Sequence, residues 1–319
     1  MIPRKPKTDQ QRLPKKSRAK NPPVFQITDR DVGLVKAVCR YRYLTIEQIT
    51  WLFPDSSQRG LENRLRYLFH GGYLNRELLH ESTSHKLIYA MREKGARLIA
   101  ERDGVPREEI PWQRHLNQIT ASHIRHLLGI NDVVISLEIA LAQAQAEGSI
   151  KDFRVFTGSP DQHKISVMLR NRDGARYTSA IVPDALVYLI FPRKKQIGVL
   201  FIEVDRATMS VNRWQGKTVV YREFVYSDNL REQFKANWSI VLTVTTSEKR
   251  LMSLAQRSVE MGVKRGFWYT TVGKVTPESI LTPVWTRAGD LFQIRNEQIF
   301  QLTDIENCHL WSILDTQGD

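Results

Sequence analysis

The chain has 319 residues, with 47 Lys and Arg against 34 Asp and Glu, a net charge of +13 and a pI near 9.8. A hydrophobic content of 41% and a charged content of 25% exclude a chain disordered throughout, and the length suits two domains. Two cysteines, Cys39 and Cys308, exclude a disulfide scaffold and a four-ligand zinc site and fit a reducing cytoplasm. The opening MIPRKPK lacks the apolar core of a secretion signal. No apolar run reaches the roughly 18–20 residues of a membrane helix, so a cytoplasmic protein with no membrane partner is expected. The excess positive charge points to a polyanion, most simply nucleic acid.

Residues 1–23 hold Arg4, Lys5, Lys7, Arg12, Lys15, Lys16, Arg18 and Lys20 against Asp9 alone, with almost nothing to bury. This tail is expected to be disordered and to neutralise phosphates without sequence preference, Lys15 and Lys16 among the contacts. A merely solubilising tail is the alternative.

Residues 24–102 form a separate module by pattern. Thr28 or Asp29 can cap a helix with Val32, Leu34, Val35 and Val38 on its apolar side. A short turn at 41–43 follows, then Thr45 caps a second helix over 46–53. Pro54-Asp55-Ser56-Ser57 breaks the chain, and a third helix runs from about 57 to 70 with Leu61, Leu65 and Leu68 on one face. Gly71-Gly72 ends it. Runs at 74–79 and 86–91, joined by a polar turn, suit a hairpin, and a helix over 93–102 closes the unit. Three helices and a hairpin in this order predict a winged helix-turn-helix. Its third helix would offer Arg59, Asn63, Arg64 and Arg66 to base edges in double-stranded DNA, and its wing His85 and Lys86. A protein-docking winged helix with a solvated arginine face is the alternative.

Residues 103–114 look like a polar linker, with Gly104, Pro106 and Pro111. From 115 to 319 a second domain is expected. Its first helix, about 115–145, carries His126 among apolar residues, more simply as a buried histidine with a hydrogen-bonded partner than as part of a site. Metal binding by His115, His123 and His126 has loose spacing and no completing carboxylate. Strand-like runs at 153–157, 164–169, 180–190 and 197–205 follow. Next come a helix at 210–226, a strand at 239–245, a helix at 247–261 and a strand at 266–272, with irregular structure after Gly273. With one early strand peripheral, this order contains αβββαβ, a mixed sheet covered by helices.

Within it, Pro183-Asp184 opens a strand, and Glu203-Val204-Asp205 ends the next. Adjacent strands can bring Asp184 close to Glu203, and Glu203 and Asp205 share a face. Clustered carboxylates repel unless a cation compensates. Mg²⁺, or Mn²⁺ in its place, suits one or two carboxylates plus phosphate oxygens and can activate water for phosphodiester hydrolysis. Lys217, on the following helix with Tyr221 four residues on, can reach back toward the acids.

The layout resembles the PD-(D/E)XK nuclease fold, with Pro183-Asp184 and Glu203 at the motif positions. The resemblance implies metal at Asp184 and Glu203 and catalysis by Asp184, Glu203, Asp205 and Lys217. The lysine position after Glu-X is Asp205 here, and Lys217 is placed as the migrated lysine. Over nearly the whole chain, the winged-helix module, His126-X-X-Gly129-Ile130-Asn131-Asp132, Pro183-Asp184-Ala185, Phe201-Ile202-Glu203-Val204-Asp205-Arg206 and Lys217…Tyr221 resemble the replication-relaxation family of bacterial plasmids and other mobile elements. No Walker-type phosphate loop, Gly-X-Ser-X-Gly elbow or histidine cluster beside a tyrosine is present, which argues against an ATPase, a hydrolase elbow and a tyrosine relaxase.

The expectation is a DNA-binding protein of a mobile element with a metal-dependent endonuclease domain, acting in plasmid replication, mobilisation or transposition. The rival is a non-enzymatic replication or transcription factor whose degenerate nuclease-like domain serves docking or dimerisation. Other replication or transposition proteins, and a second copy in a homodimer, are the protein partners considered.

Overall fold

The computed structural model describes residues 14, 17–80, 85–157, 163–171, 173–192, 196–263 and 265–314. The chain is a mixed α+β protein of two compact units, Met1–Ile124 and Arg125–Asp319.

In the first unit, α1 (Asp29–Tyr41) is capped by Thr28 in a reciprocal box with Asp31 and buries Val32, Leu34, Val35 and Val38. Thr45 and Gln48 repeat the box at α2 (Ile46–Leu52), and Ser57 caps α3 (Gln58–His70). Strands β2 (Leu74–His80) and β3 (His85–Met91) form an antiparallel pair. The segment expected as a turn at 41–43 instead leads into a short strand, β1 (Tyr43–Thr45), paired with β3. Helix α4 (Glu93–Asp103) follows. The stretch expected as a polar linker is folded into this unit. It carries helical turns at Arg107–Glu109 and Arg114–Asn117, buries Ile110 and Trp112, and pairs Arg107 with Glu93 at 2.9 Å.

The long helix, α5 (Ala121–Ala146), starts later than the apolar spacing implies, because Thr120 caps it through the His123 N–H. It is long and apolar enough to cross a membrane by composition, contrary to the expectation from uninterrupted apolar runs, yet 61% of its apolar stretch is buried against protein. The six-stranded sheet of the second unit has the order β11-β10-β9-β8-β7-β4. Its strands are β4 (Asp152–Thr157), β7 (Ala185–Ile190), β8 (Ile197–Asp205), β9 (Trp238–Thr245), β10 (Phe267–Thr271) and β11 (Thr286–Arg287). Between β4 and β7 the chain forms a separate hairpin, β5 (Ile165–Arg170) and β6 (Arg176–Ile181). The strand-like run over 180–190 is two strands, interrupted at Val182-Pro183 because proline offers no ladder N–H, and the second begins just after Asp184 as expected.

Pairs β4–β7 and β7–β8 are antiparallel, and β8–β9 and β9–β10 are parallel. The parallel crossovers are α6 (Val211–Val225) with α7 (Asn229–Phe234), and α8 (Glu248–Glu260). Alternation along β8 sends Val199, Phe201, Glu203 and Asp205 toward α6 and α8, where Trp214, Tyr221, Phe224, Leu251 and Leu254 complete the core. Val204 points to the other face, against Gly129 of α5. The region after Gly273, expected to be irregular, contributes β11, the short helix α9 (Ala288–Leu291) and a hairpin of β12 (Phe292–Arg295) and β13 (Gln298–Gln301).

One packing contact admits no side chain. A Cβ on Gly198 would lie 2.2 Å from the Trp238 ring, which packs over this position and against Phe191. Gly198→Ala should destabilise the protein by about 1–3 kcal/mol in urea unfolding through overpacking. In the Trp238→Leu background the same change should cost clearly less, and equal costs in both backgrounds would refute this origin.

Candidate functional site

The first unit presents one polar helix face. Along α3, Leu61, Leu65 and Leu68 are buried, while Arg59, Asn63 and Arg66 are exposed on the opposite side at the same spacing. Arg66 donates to Asn63 Oδ1 at 3.1 Å. Lys86 on β3 is exposed. Arg64 was expected on this face and is instead structural. Its Nε donates to the fully buried Asp31 at 2.8 Å, its Nη2 to Asp31 and to the Gln26 carbonyl, and its guanidinium lies over Phe25 and Tyr67. Burial alone would raise Asp31, but the bonds from Arg64 and Thr28 outweigh it and hold the carboxyl below its ordinary range. Lys15, Lys16 and the side chain of His85 lie outside the described residues. Within the tail expected to be disordered, Arg18 donates to the Leu74 carbonyl at 2.9 Å and Ala19 N–H to His70 Nδ1 at 3.1 Å, so this part is folded onto α3 and β2.

In the second unit, five side chains from four elements converge. Asp184, just before β7, is tied to β8 twice: its N–H donates to Ile202 O at 2.9 Å, and its Oδ2 accepts from Val204 N at 2.7 Å. Its Oδ1 lies 3.1 Å from Nε2 of His126 on α5. Glu203 is 1% exposed. Lys217 Nζ donates to its Oε2 at 2.5 Å, and the Tyr221 hydroxyl to its Oε1 at 2.7 Å. The i, i+4 spacing of Lys217 and Tyr221 on α6 lets one helix face hold both oxygens.

Burial pushes the Glu203 carboxyl up to about 7, opposed by Lys217 and reinforced by the charge of Asp184. Tyr221 is raised well above its ordinary value by burial and by Glu203. His126 is raised by its bond to Asp184, against the opposing effect of burial. The histidine expected as a core residue thus belongs to this cluster. Its place on an apolar stripe concealed that, since its partner is supplied from 58 positions away. Tyr221 is the other member whose contact with an acid was not foreseen.

Asp205 does not join the cluster, although it shares a face with Glu203. Arg250 of α8 donates to it from Nε at 2.7 Å and Nη2 at 3.2 Å, and the Thr245 hydroxyl donates at 3.0 Å. Both carboxyl oxygens are engaged and the side chain is 1% exposed, so Asp205 clamps β8 to α8 instead of assisting at the site. Arg206 reaches the other way, to the Arg125 carbonyl at 3.2 Å. Among the described residues no group of three or more His, Cys, Asp and Glu is placed to hold a metal ion. His123 bonds Thr120 at 2.8 Å, and His115 lies in the turn before α5.

Two compact units, the first with a polar helix face and the second with a buried carboxylate–lysine cluster in a mixed sheet, define a class of mixed α+β protein. The family model described as Replication-relaxation matches residues 36–236, a span that contains α3 and all five residues of the cluster. The chain belongs to the replication-relaxation family, which connects it to replication and mobile elements. No curated protein and no solved structure matches it.

Two outcomes follow from the geometry. A carboxyl raised in the folded state binds a proton that the unfolded chain has already released, so its contribution to stability is full below about 4.5 and declines as pH rises through about 7. Glu203→Gln should therefore flatten the fall in melting temperature between those pH values, and an unchanged slope would refute it. Asp205→Ala strands Arg250 and should cost about 3–5 kcal/mol in denaturant unfolding. A loss under about 1 kcal/mol, as for an exposed pair, would contradict the clamp.

Proposed function

We propose that this protein is a cytoplasmic DNA-processing factor of a mobile element that docks on duplex DNA with its first unit and hydrolyses a phosphodiester with its second. In this reading the first unit is a winged helix-turn-helix, α3 its recognition helix and β2–β3 its wing. Arg59 and Asn63 suit guanine and adenine edges, and Arg66 and Lys86 suit phosphates. The second unit is a PD-(D/E)XK-like nuclease core, with α5, β4, β7, β8, α6 and β9 supplying its αβββαβ order.

One observation carries the nuclease reading. Lys217 Nζ sits 2.5 Å from Glu203, beside Asp184, so the lysine missing from the position after Val204 is returned by the next helix. The residues fit a divalent cation of the Mg²⁺ type. The charge of Asp184 reinforces the rise at Glu203, a repulsion that a cation between the two carboxylates relieves. Asp184 and Glu203 would hold it, with phosphate oxygens and water completing a shell for which the described residues offer no third carboxylate. Bound there, Mg²⁺ or Mn²⁺ supplies a water of lowered pKa and screens the phosphate charge. Lys217 orients that water or steadies the charge that develops on the phosphate. Tyr221 holds the Glu203 carboxylate in place, and His126 does the same for Asp184.

The second reading, a nuclease-like fold used for docking, is favoured by a different observation. Every carboxyl oxygen of Asp184 and Glu203 already accepts from the protein or faces His126. Nicking of supercoiled plasmid in Mg²⁺ or Mn²⁺ separates the two. The wild type should convert plasmid to nicked or linear product, Lys217→Ala should lose about 100-fold or more in rate, and Glu203→Ala should abolish it. DNA binding should survive both changes. No conversion by the wild type, with salt-sensitive DNA binding intact, would leave the docking reading in its place.

A further inference from the structure

The hairpin β5–β6 lies outside the six-stranded sheet and has two unlike faces. Register pairs Ile165 with Ile181, Val167 with Ser179 and Leu169 with Tyr177 on one face. Ile165 and Val167 there are buried in the core with Trp214 and Val220 of α6. This anchoring matters, because a two-stranded ribbon alone is marginal in water. The other face pairs Ser166 with Ala180, Met168 with Thr178 and Arg170 with Arg176, and all six residues are exposed.

The arginine pair is the informative feature. Like charges directly opposite on neighbouring strands destabilise a hairpin. Among the described residues the side chains of Arg170 and Arg176 have no ion-pair or hydrogen-bond partner. Over Ile165–Ile181 the sequence holds Arg170, Arg172 and Arg176 against Asp173 alone. The described residues between them are nevertheless held by hydrogen bonds. Asn171 Oδ1 accepts from Asp173 N and from Ala175 N at 2.8 Å, and Gly174 takes a φ of 81° that favours glycine. The paired strands therefore present two guanidiniums side by side to solvent, with the hydroxyls of Ser166 and Thr178 and the thioether of Met168 behind them. Val182 and Pro183 alone separate the end of the strand that carries Arg176 from Asp184.

We infer that this ribbon is a second DNA-binding surface, through which the unit holding the carboxylate–lysine cluster grips the phosphate backbone of a duplex beside that cluster. The inference rests on the DNA-docking reading above and adds the element that presents the scissile strand. A two-stranded ribbon has the width of the major groove, and paired arginines suit phosphates flanking it. Charge complementarity selects this occupant: a basic, hydroxyl-bearing face with a single thioether offers little to an apolar protein partner.

The test is equilibrium binding of the full chain to a fluorescent duplex between roughly 50 and 200 mM salt. Loss of two phosphate contacts in R170Q/R176Q should weaken binding and make the slope of log K against log salt shallower by about 1.8. R170K/R176K, which keeps the charges, should retain the slope. Unchanged affinity and slope in R170Q/R176Q, beside weakened binding in R59Q/R66Q, would overturn the ribbon and leave the α3 reading standing. An equal loss in R170Q/R176Q and R170K/R176K would also overturn it, by removing charge as the cause. A wild-type chain that binds no duplex at any salt in this range would overturn the DNA-docking reading itself.

Discussion

The buried carboxylate of Glu203 is the constraint around which the second unit is arranged. β8 is buried along almost its whole length, between β7 and β9 and between helices on both faces. A carboxyl in that setting is expensive without compensation, and the unit supplies it from one helix. Lys217 and Tyr221 occupy its two oxygens, and their own positions follow from α6 packing Trp214, Val220 and Phe224 into the core. The compensation is incomplete, since burial and Asp184 together still hold the carboxyl up to about 7. A purely structural role would be served as well by an apolar residue of similar size. The cluster that carries this cost also contains a half-exposed histidine, His126, on the far side of Asp184.

Asp205 gives the contrast. It lies two residues on, on the same face and equally buried, yet its partner is the bidentate guanidinium of Arg250 with a threonine hydroxyl beside it. That geometry satisfies the carboxylate fully. The two acids at the end of one strand thus divide their roles by the helix each faces: α8 locks Asp205, and α6 holds Glu203 with a lysine. The family match covers α6 and stops at residue 236, before Arg250, so the cluster lies inside the shared region and the partner of Asp205 outside it.

What could be read from the sequence follows from the range of the interactions involved. The first unit's helices were legible because their signals are local. The caps Thr28, Thr45 and Ser57 and the 3.6-residue spacing of Leu61, Leu65 and Leu68 operate within single segments. The alignment of Pro183-Asp184 with Glu203 was legible because adjacent antiparallel strands convert sequence spacing into proximity. The failures are pairings across long separations. Asp31 claims Arg64 from 33 positions away, and Arg250 claims Asp205 from 45. Nothing in either local pattern distinguishes a committed side chain from a free one. β1 was missed for the same reason, since three residues become a strand only because β3 is there to pair with them. α5 was legible as a long helix with an apolar face, and Val133, Leu137 and Leu141 are buried along it. What a search for unbroken apolar runs did not show is that the helix as a whole is apolar enough to cross a membrane, because polar residues interrupt those runs.

β8 and β9 run parallel and both end at the edge where Asp184 enters, and open α/β sheets place their ligand sites outside such carboxyl ends. The interruption at Val182-Pro183 does two things at that edge. It stops the β5–β6 ribbon from merging into the main sheet, and it delivers Asp184 to the Val204 N–H. A continuous strand over 180–190 would have paired straight through and carried Asp184 past this edge as one more ladder residue. The proline therefore separates a basic, solvent-facing hairpin from a buried acidic cluster and keeps the two within a few residues of each other. Opposite charges that would neutralise one another in direct contact are thus held apart, the arginines in solvent and Glu203 in the core.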